Sequence, residues 1–257
     1  MRAPAESRDP WAKLRAATTA RIDLARAGSS IATRNHLAFQ LDHARARDAV
    51  HEPLDAAALA KGLAQRHLPF VHLRSAATDR RAYLMRPDLG RRLDERSRKE
   101  LDVHSGSYDL AFVLADGLSA RAVTIHALPL LDLALPALLR GQWKIGPIVI
   151  AEQARVAVGD EIGQMLGATL VAVLIGERPG LSSPDGLGIY ITWQPAIGRL
   201  DADRNCLSNI RPQGMPYAEA ARRLLYLCTQ AKRIGRTGIA LKDLSAEALQ
   251  LPPSDSQ

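Results

Sequence analysis

Four short runs of almost wholly apolar residues dominate the second half of this 257-residue chain: YDLAFVLAD from Tyr108, PIVIAEQ from Pro147, TLVAVLIGE from Thr169 and LGIYITWQ from Leu187. Runs of this length are too short for buried helices, and their β-branched content suits strands. They do not alternate polar with apolar, so both faces of each strand must be covered. The first three are separated by segments of helical pattern: Ser119–Arg140, and then VGDEIGQMLG from Val158. Strand, helix, strand, repeated, implies right-handed crossovers and a mostly parallel sheet. The expected fold is therefore α/β, a Rossmann-like mostly parallel sheet with flanking helices. Pro129 and Pro136 are expected to break or kink the segment between Ser119 and Arg140.

Before residue 105 the pattern is different. WAKLRAATTARIDLAR reads as a helix from Trp11 to about Arg26, ended at Gly28–Ser30. Further helices are expected at Thr33–Ala49 and Asp55–Arg66. Phe70–Leu73 and Ala82–Met85 read as short strands. Arg86–Glu100 reads as a charged, exposed helix with Pro87 in its first turn. The expected organisation is a loose N-terminus (1–10), a smaller, mainly helical region (11–104), the α/β region (105–245) and a polar tail (246–257). Arg199–Gly214 reads as a loop, and Tyr217–Ile234 as the last long helix.

The charge is +7, with 34 basic residues against 27 acidic. A basic excess of this size suits an acidic or phosphate-bearing partner, or simply an arginine-rich genome. Two cysteines, Cys206 and Cys228, make no disulfide framework and are expected as reduced thiols. The first twenty residues hold no apolar run of the kind a signal peptide needs, and the stretches Leu128–Leu139 and Leu170–Ile175 read as too short or too interrupted to span a bilayer. A soluble, cytoplasmic protein is expected.

Parallel sheets bind ligands outside the carboxyl ends of their strands. That rule selects Asp116–Ser119, the stretch just before Val156, and Gly176–Gly180. Gly117 permits a tight turn and Ser119 is placed to cap the next helix, so Asp116, Gly117 and Ser119 are candidate ligand contacts. Glu177 and Arg178, straight after a buried strand and held by Pro179, form a candidate rim in which Glu177 accepts hydrogen bonds. Cys206 beside Arg204 has a neighbour able to lower its pKa. The seven histidines show no metal-ligand spacing. A G-x-G-x-x-G fingerprint is absent, which weighs against the alternative of a nucleotide-binding Rossmann-like oxidoreductase, and Gly186-Leu187-Gly188 is a lone G-x-G. No basic helix with interleaved aromatics suggests a nucleic-acid partner.

Several blocks together resemble the small subunit (light chain) of ethanolamine ammonia-lyase. They are Thr19–Ile22 with Arg26–Gly28, Leu84-Met-Arg-Pro-Asp-Leu-Gly-Arg-Arg-Leu93, Asp116–Ser119, Arg155-Val156, Gly159–Gly163, Leu174-Ile-Gly-Glu-Arg-Pro-Gly-Leu181 and Asp203–Ile210. The resemblance runs over roughly residues 10–240. It implies a subunit of a carbon–nitrogen lyase that converts ethanolamine to acetaldehyde and ammonia by a radical mechanism using adenosylcobalamin. It further implies a large partner subunit that holds the small-molecule substrate and the catalytic residues, so that this chain carries none, is inactive alone, and assembles as a hetero-oligomer of several pairs. The family's cobalamin contacts fall on Val156, Glu177 and Cys206. Members directed to a bacterial microcompartment have a longer N-terminal extension than the ten or so residues here, so encapsulation is not expected. Asp102-Val-His104-Ser-Gly106 misses the D-x-H-x-x-G pattern of another cobalamin family, so no histidine ligand to cobalt is expected from this chain.

Overall fold

The apolar runs stand side by side in the computed structural model, which describes residues 11–245 apart from 19, 23 and 25. The loose N-terminus and polar tail expected at 1–10 and 246–257 lie outside the described residues. The chain enters through α1 (Ala12–Ala17), the antiparallel pair β1 (Arg26–Ala27) and β2 (Ser30–Ile31), and helices α2 (Thr33–His51) and α3 (Ala56–Gln65). Then follow β3 (Phe70–Arg74), α4 (Arg80–Met85) and α5 (Glu95–Asp102). From β4 (Tyr108–Ala115) the order is α6 (Ala120–Arg140), β5 (Ile148–Glu152), α7 (Val158–Leu166), β6 (Ala168–Gly176), β7 (Leu187–Trp193), β8 (Arg204–Ile210) and α8 (Tyr217–Ile234).

One six-stranded sheet runs in the order β3-β5-β4-β6-β7-β8. The first four strands in that order are parallel, and β7 and β8 are antiparallel. The expected α/β sheet, mostly parallel and flanked by helices, is the fold observed. Its first strand in sequence, Phe70–Arg74, lies at the edge beside β5. Alternate residues feed two cores. Leu110, Phe112 and Leu114 pack on α3, α6 and α8, while Ala111, Val113 and Ala115 face α5 and α7. Both faces are covered, which is why the central strands carry apolar residues at every position.

The connections set the site. β4 leads into α6 on one face, and its neighbour β5 leads into α7 on the other. Between two adjacent strands whose connections leave to opposite faces, a crevice opens at the carboxyl ends.

Five local expectations are corrected. The first helix stops at Ala17, because Thr18 is extended and its hydroxyl takes the Ala20 N–H; Leu14 remains exposed with no core to pack against. Ala82–Met85 is helical: Asp79 caps α4 by accepting from Ala82 N at 2.8 Å, and Tyr83 is buried. The charged helix starts at Glu95, where Asp94 accepts from Ser97 N at 2.7 Å, and residues Leu89–Arg91 form a separate 3₁₀ turn. α6 runs unbroken through Pro129 and Pro136. The prolines are two turns apart, and the residues whose carbonyls they release, Ile125 and Asp132, are exposed. α6 is long and apolar enough to cross a membrane by length and composition, but ten of its residues are buried against the sheet and α8, the pattern of a core helix.

The fifth correction is β8, which lies inside the segment read as a loop. Its buried residues are Arg204, Leu207 and Ile210, a spacing of three where a strand should show two. Arg204 and Leu207 are buried on opposite faces, Arg204 against Asp160 of α7, and a register shift accounts for the second interval: Ile189 and Leu187 of β7 face Leu207 and Ile210, so β8 carries an extra residue there, with Asn209 at φ 56°.

Arg204 joins β8 to α7. Its guanidinium holds Asp160 bidentately at 2.7 Å and also donates to the Thr192 hydroxyl at 2.9 Å. Both side chains of the ion pair are only 2% exposed. Arg204→Met strands a buried carboxylate, and it should lower the unfolding free energy by about 3–5 kcal/mol. Arg204→Met combined with Asp160→Leu should recover most of that loss in urea melts; an additive double variant would contradict the pairing.

Candidate functional site

A crevice of about 230 Å³ sits at the carboxyl ends of β4, β5 and β6. After β4 come Gly117 and Leu118, after β5 Arg155 and Val156, and after β6 Glu177 and Arg178; Tyr83 and Tyr190 close two sides. The three places picked out by the strand-end rule thus meet in one cavity.

The β4 turn is tight. Gly117 has φ +58°, and a Cβ there would fall 2.2 Å from the Gly176 carbonyl oxygen. Only glycine allows this approach, which lets Leu118 N donate to Gly176 O at 2.9 Å. Asp116 does not point into the crevice. Its carboxylate is 2% exposed and accepts from Gln153 N at 2.7 Å and Ala154 N at 2.8 Å, tying the end of β4 to the loop after β5. Burial pushes its pKa up to about 6, against the pull of those amides and of Arg80. Ser119 is fully buried. Its hydroxyl makes no cap bond and instead donates to Pro184 O at 2.9 Å, so the expected helix cap is corrected.

Arg155 builds the β5 side. Its backbone N–H donates to Gly90 O at 2.8 Å, and its guanidinium lies 4.5 Å from the Tyr83 ring centroid while Nη2 donates to Tyr83 O. Arg80 lies 4.5 Å from the same ring, so Tyr83 sits among cations. Val156 is half-buried beside it.

On the β6 side, Glu177 Oε2 accepts from Asn209 N at 3.0 Å, and Oε1 carries no hydrogen bond among the described residues. The lone G-x-G now has a reason. A Cβ on Gly186 would sit 3.0 Å from Oε2 and one on Gly188 2.9 Å from Oε1, so the missing side chains make room for the carboxylate. Arg178 is exposed on the crevice wall. Cys206 does not line the cavity. It sits opposite Tyr190 in the β7–β8 ladder, exposed at the crevice edge. Its thiol is pushed above the ordinary value, first by desolvation of the sulfur and then by the Glu177 charge, with a hydrogen bond to Tyr190 opposing. The lowered pKa expected from Arg204 is corrected, because that guanidinium is committed to Asp160.

Tyr83 and Tyr190 went unrecognised as site residues in the sequence. Tyr83 fell in a stretch read as a strand, and Tyr190 looked like strand filling; the usable signal was Leu84–Leu93, which begins one residue after Tyr83. A second, larger cleft of about 480 Å³ opens on the far side of Arg155 and Val156.

Fold and cavity define a class: an α/β chain with a crevice at the switch point of a mostly parallel sheet. A sequence model of the ethanolamine ammonia-lyase light chain family matches residues 8–242. An Azotobacter vinelandii protein named ethanolamine ammonia-lyase small subunit is 54% identical over 259 residues, covering 99% of this chain and 95% of that one. A protein of the same name from Pseudomonas aeruginosa is 54% identical over 93% of this chain and 89% of its own length, and one from Pseudomonas fluorescens is 53% identical over 91% and 86%. The chain belongs to the ethanolamine ammonia-lyase light chain family.

Asp116 predicts an unusual pH dependence. Its folded pKa, about 6, lies above the 3.8 of a free side chain, so the folded protein holds the proton more tightly. Its contribution to stability is full below pH 4 and is lost as pH rises through 6, a change on the order of 3 kcal/mol. Urea midpoints measured from pH 4 to 7.5 should show this fall, and Asp116→Asn should flatten it; equal slopes would reject the assignment.

Proposed function

We propose that this chain is the small subunit of an adenosylcobalamin-dependent ethanolamine ammonia-lyase, and that the crevice edge formed by Val156, Glu177 and Cys206 is its share of the cobalamin surface. The substrate and the catalytic residues belong, on this reading, to a large partner subunit, and several such pairs assemble into a hetero-oligomer. The observation that carries the proposal is the meeting of the loops after β4, β5 and β6 in one crevice at the sheet's switch point, with Val156 and Glu177 lining it and Cys206 at its edge.

The residues present suit a corrinoid. A corrin ring has apolar edges fringed by amide arms. Leu118, Val156 and Ile175 offer apolar wall, and the free Oε1 of Glu177 offers an acceptor to an amide N–H. The cavity holds about 230 Å³, below the roughly 300–1,000 Å³ of pockets that enclose a drug-sized ligand, so this chain supplies one wall and a partner supplies the rest. When bound, adenosylcobalamin supplies the radical chemistry of the reaction. This chain's part is to orient: the Gly117–Gly176 contact fixes the floor, Tyr83 and Arg155 fix the loop that carries Val156, and Asn209 fixes Glu177. The apolar wall also excludes water from one side of the cofactor.

Glu177→Ala in the enzyme assembled with its large subunit should weaken cobalamin binding about tenfold or more, the worth of one hydrogen bond to a charged acceptor. Equilibrium dialysis followed by corrinoid absorbance measures it. Unchanged affinity together with unchanged turnover would remove Glu177 from the site.

A further inference from the structure

The Leu84–Leu93 block has no role in the crevice itself, yet the fold brings its two arginines to the cleft beside it. Arg91 and Arg92 end the 3₁₀ turn at Leu89–Arg91, and two backbone bonds pin that turn: Arg155 N to Gly90 O at 2.8 Å, and Ala76 N to Arg92 O at 2.8 Å. Gly90 allows the approach, since a Cβ there would meet Arg155, Gln153 and Tyr83 at 3.1 Å. The larger cleft, about 480 Å³, is thereby lined by Arg91 and Arg92 together with Arg155, Val156 and Arg199. Asp160 and Arg204 also line it but neutralise each other at 2.7 Å, and Asp201 is the remaining carboxylate. The five arginines of the lining face two carboxylates, Asp160 and Asp201, both paired with Arg204, which leaves an excess of three positive charges.

Two of these cations lack partners among the described residues, while Arg199 donates to Gln194 O and Arg155 to Tyr83 O. Arg91 and Arg92 side chains make no hydrogen bond or ion pair among the described residues, and both are exposed. One guanidinium nitrogen of the lining, Arg155 Nε, is buried without a hydrogen-bond acceptor, and the buried Arg204 Nε has the Asp201 carboxylate 3.5 Å away. Arg155 and Val156 line both cavities, so one ligand can occupy both.

We infer that this cleft binds a phosphate ester, and that in the assembled enzyme the ester is the phosphodiester of the corrinoid's nucleotide arm. Guanidinium groups match phosphate oxygens in charge and in the spacing of paired N–H donors. The choice of the arm over a free phosphate rests on the corrinoid reading above and on the wall shared through Arg155 and Val156.

The test uses the complex with the large subunit and three probes: cyanocobalamin, dicyanocobinamide, which lacks the nucleotide arm and its phosphate, and inorganic phosphate. The wild type should bind cobalamin at least about tenfold tighter than cobinamide. R91Q/R92Q should lose that preference while holding cobinamide as before, and R91K/R92K, which keeps the charge, should recover part of it. Phosphate should compete with cobalamin and not with cobinamide. Size-exclusion chromatography checks that each variant assembles, as exposed positions should allow. If R91Q/R92Q binds all three probes like the wild type, the inference falls and the corrinoid reading stands. If phosphate binds the wild type and not the variant while the corrinoid preference is unmoved, the nucleotide-arm assignment falls in favour of a free phosphate. If the wild type binds no corrinoid, the proposed function falls, and arginine-dependent phosphate binding alone decides whether the cleft is a phosphate site.

Discussion

The site depends on how closely the ends of β4 and β6 approach. Gly117 adopts a left-handed turn against the Gly176 carbonyl, with no space for a Cβ on either residue. From the other side, the Asp116 carboxylate holds the amides of Gln153 and Ala154, fixing the loop after β5 to the same point. Three strand ends are thus locked within one turn of chain, and everything beyond them inherits that geometry. Arg155, Val156, Glu177 and Arg178 each follow a locked residue by one to three positions, too short a span to wander.

The sheet was legible because its central strands are buried on both faces, and such strands announce themselves as unbroken apolar runs. β8 was not legible, because an edge strand needs only one apolar face and the bulge at Asn209 breaks even that alternation. α4 was missed for a different reason: its cap, Asp79, lies outside the apolar window of Ala82–Met85, and the window alone fits either element. The break considered for α6 is absent, and the hydrogen bonds its two prolines forgo belong to the exposed residues Ile125 and Asp132.

The crevice itself could be foreseen only in part. The strand-end rule located the three loops, yet it cannot say which side chains turn outward. Asp116 and Ser119 follow a strand end as surely as Glu177 does, but they turn inward and serve the fold. The difference lies in the partners available within reach, two free amides for Asp116 and the Pro184 carbonyl for Ser119, and these come from segments distant in sequence. The Arg91–Arg92 pair was legible as a block but not as a cleft wall, since backbone hydrogen bonds to Arg155 and Ala76, distant in sequence from one another, bring it there.

A division of labour follows from where the titratable groups sit. The carboxyl group that changes charge near neutral pH, Asp116, is sealed beneath the crevice floor, where its proton affects the stability of the strand ends. The Tyr190 hydroxyl is pushed up by burial and stays neutral, and the Cys206 thiol at the edge is pushed up as well. The two cavities are lined by arginines, whose charge is permanent in any ordinary buffer, by apolar side chains, and by the carboxylates Glu177, Asp160 and Asp201. Such a surface keeps one electrostatic character across the range in which the fold beneath it titrates. Deprotonation of Asp116 leaves a buried carboxylate that the Gln153 and Ala154 amides and Arg80 still hold, so its cost is one of desolvation beneath the crevice and falls on the stability of the strand ends, not on the hydrogen bonds that tie β4 to the loop after β5.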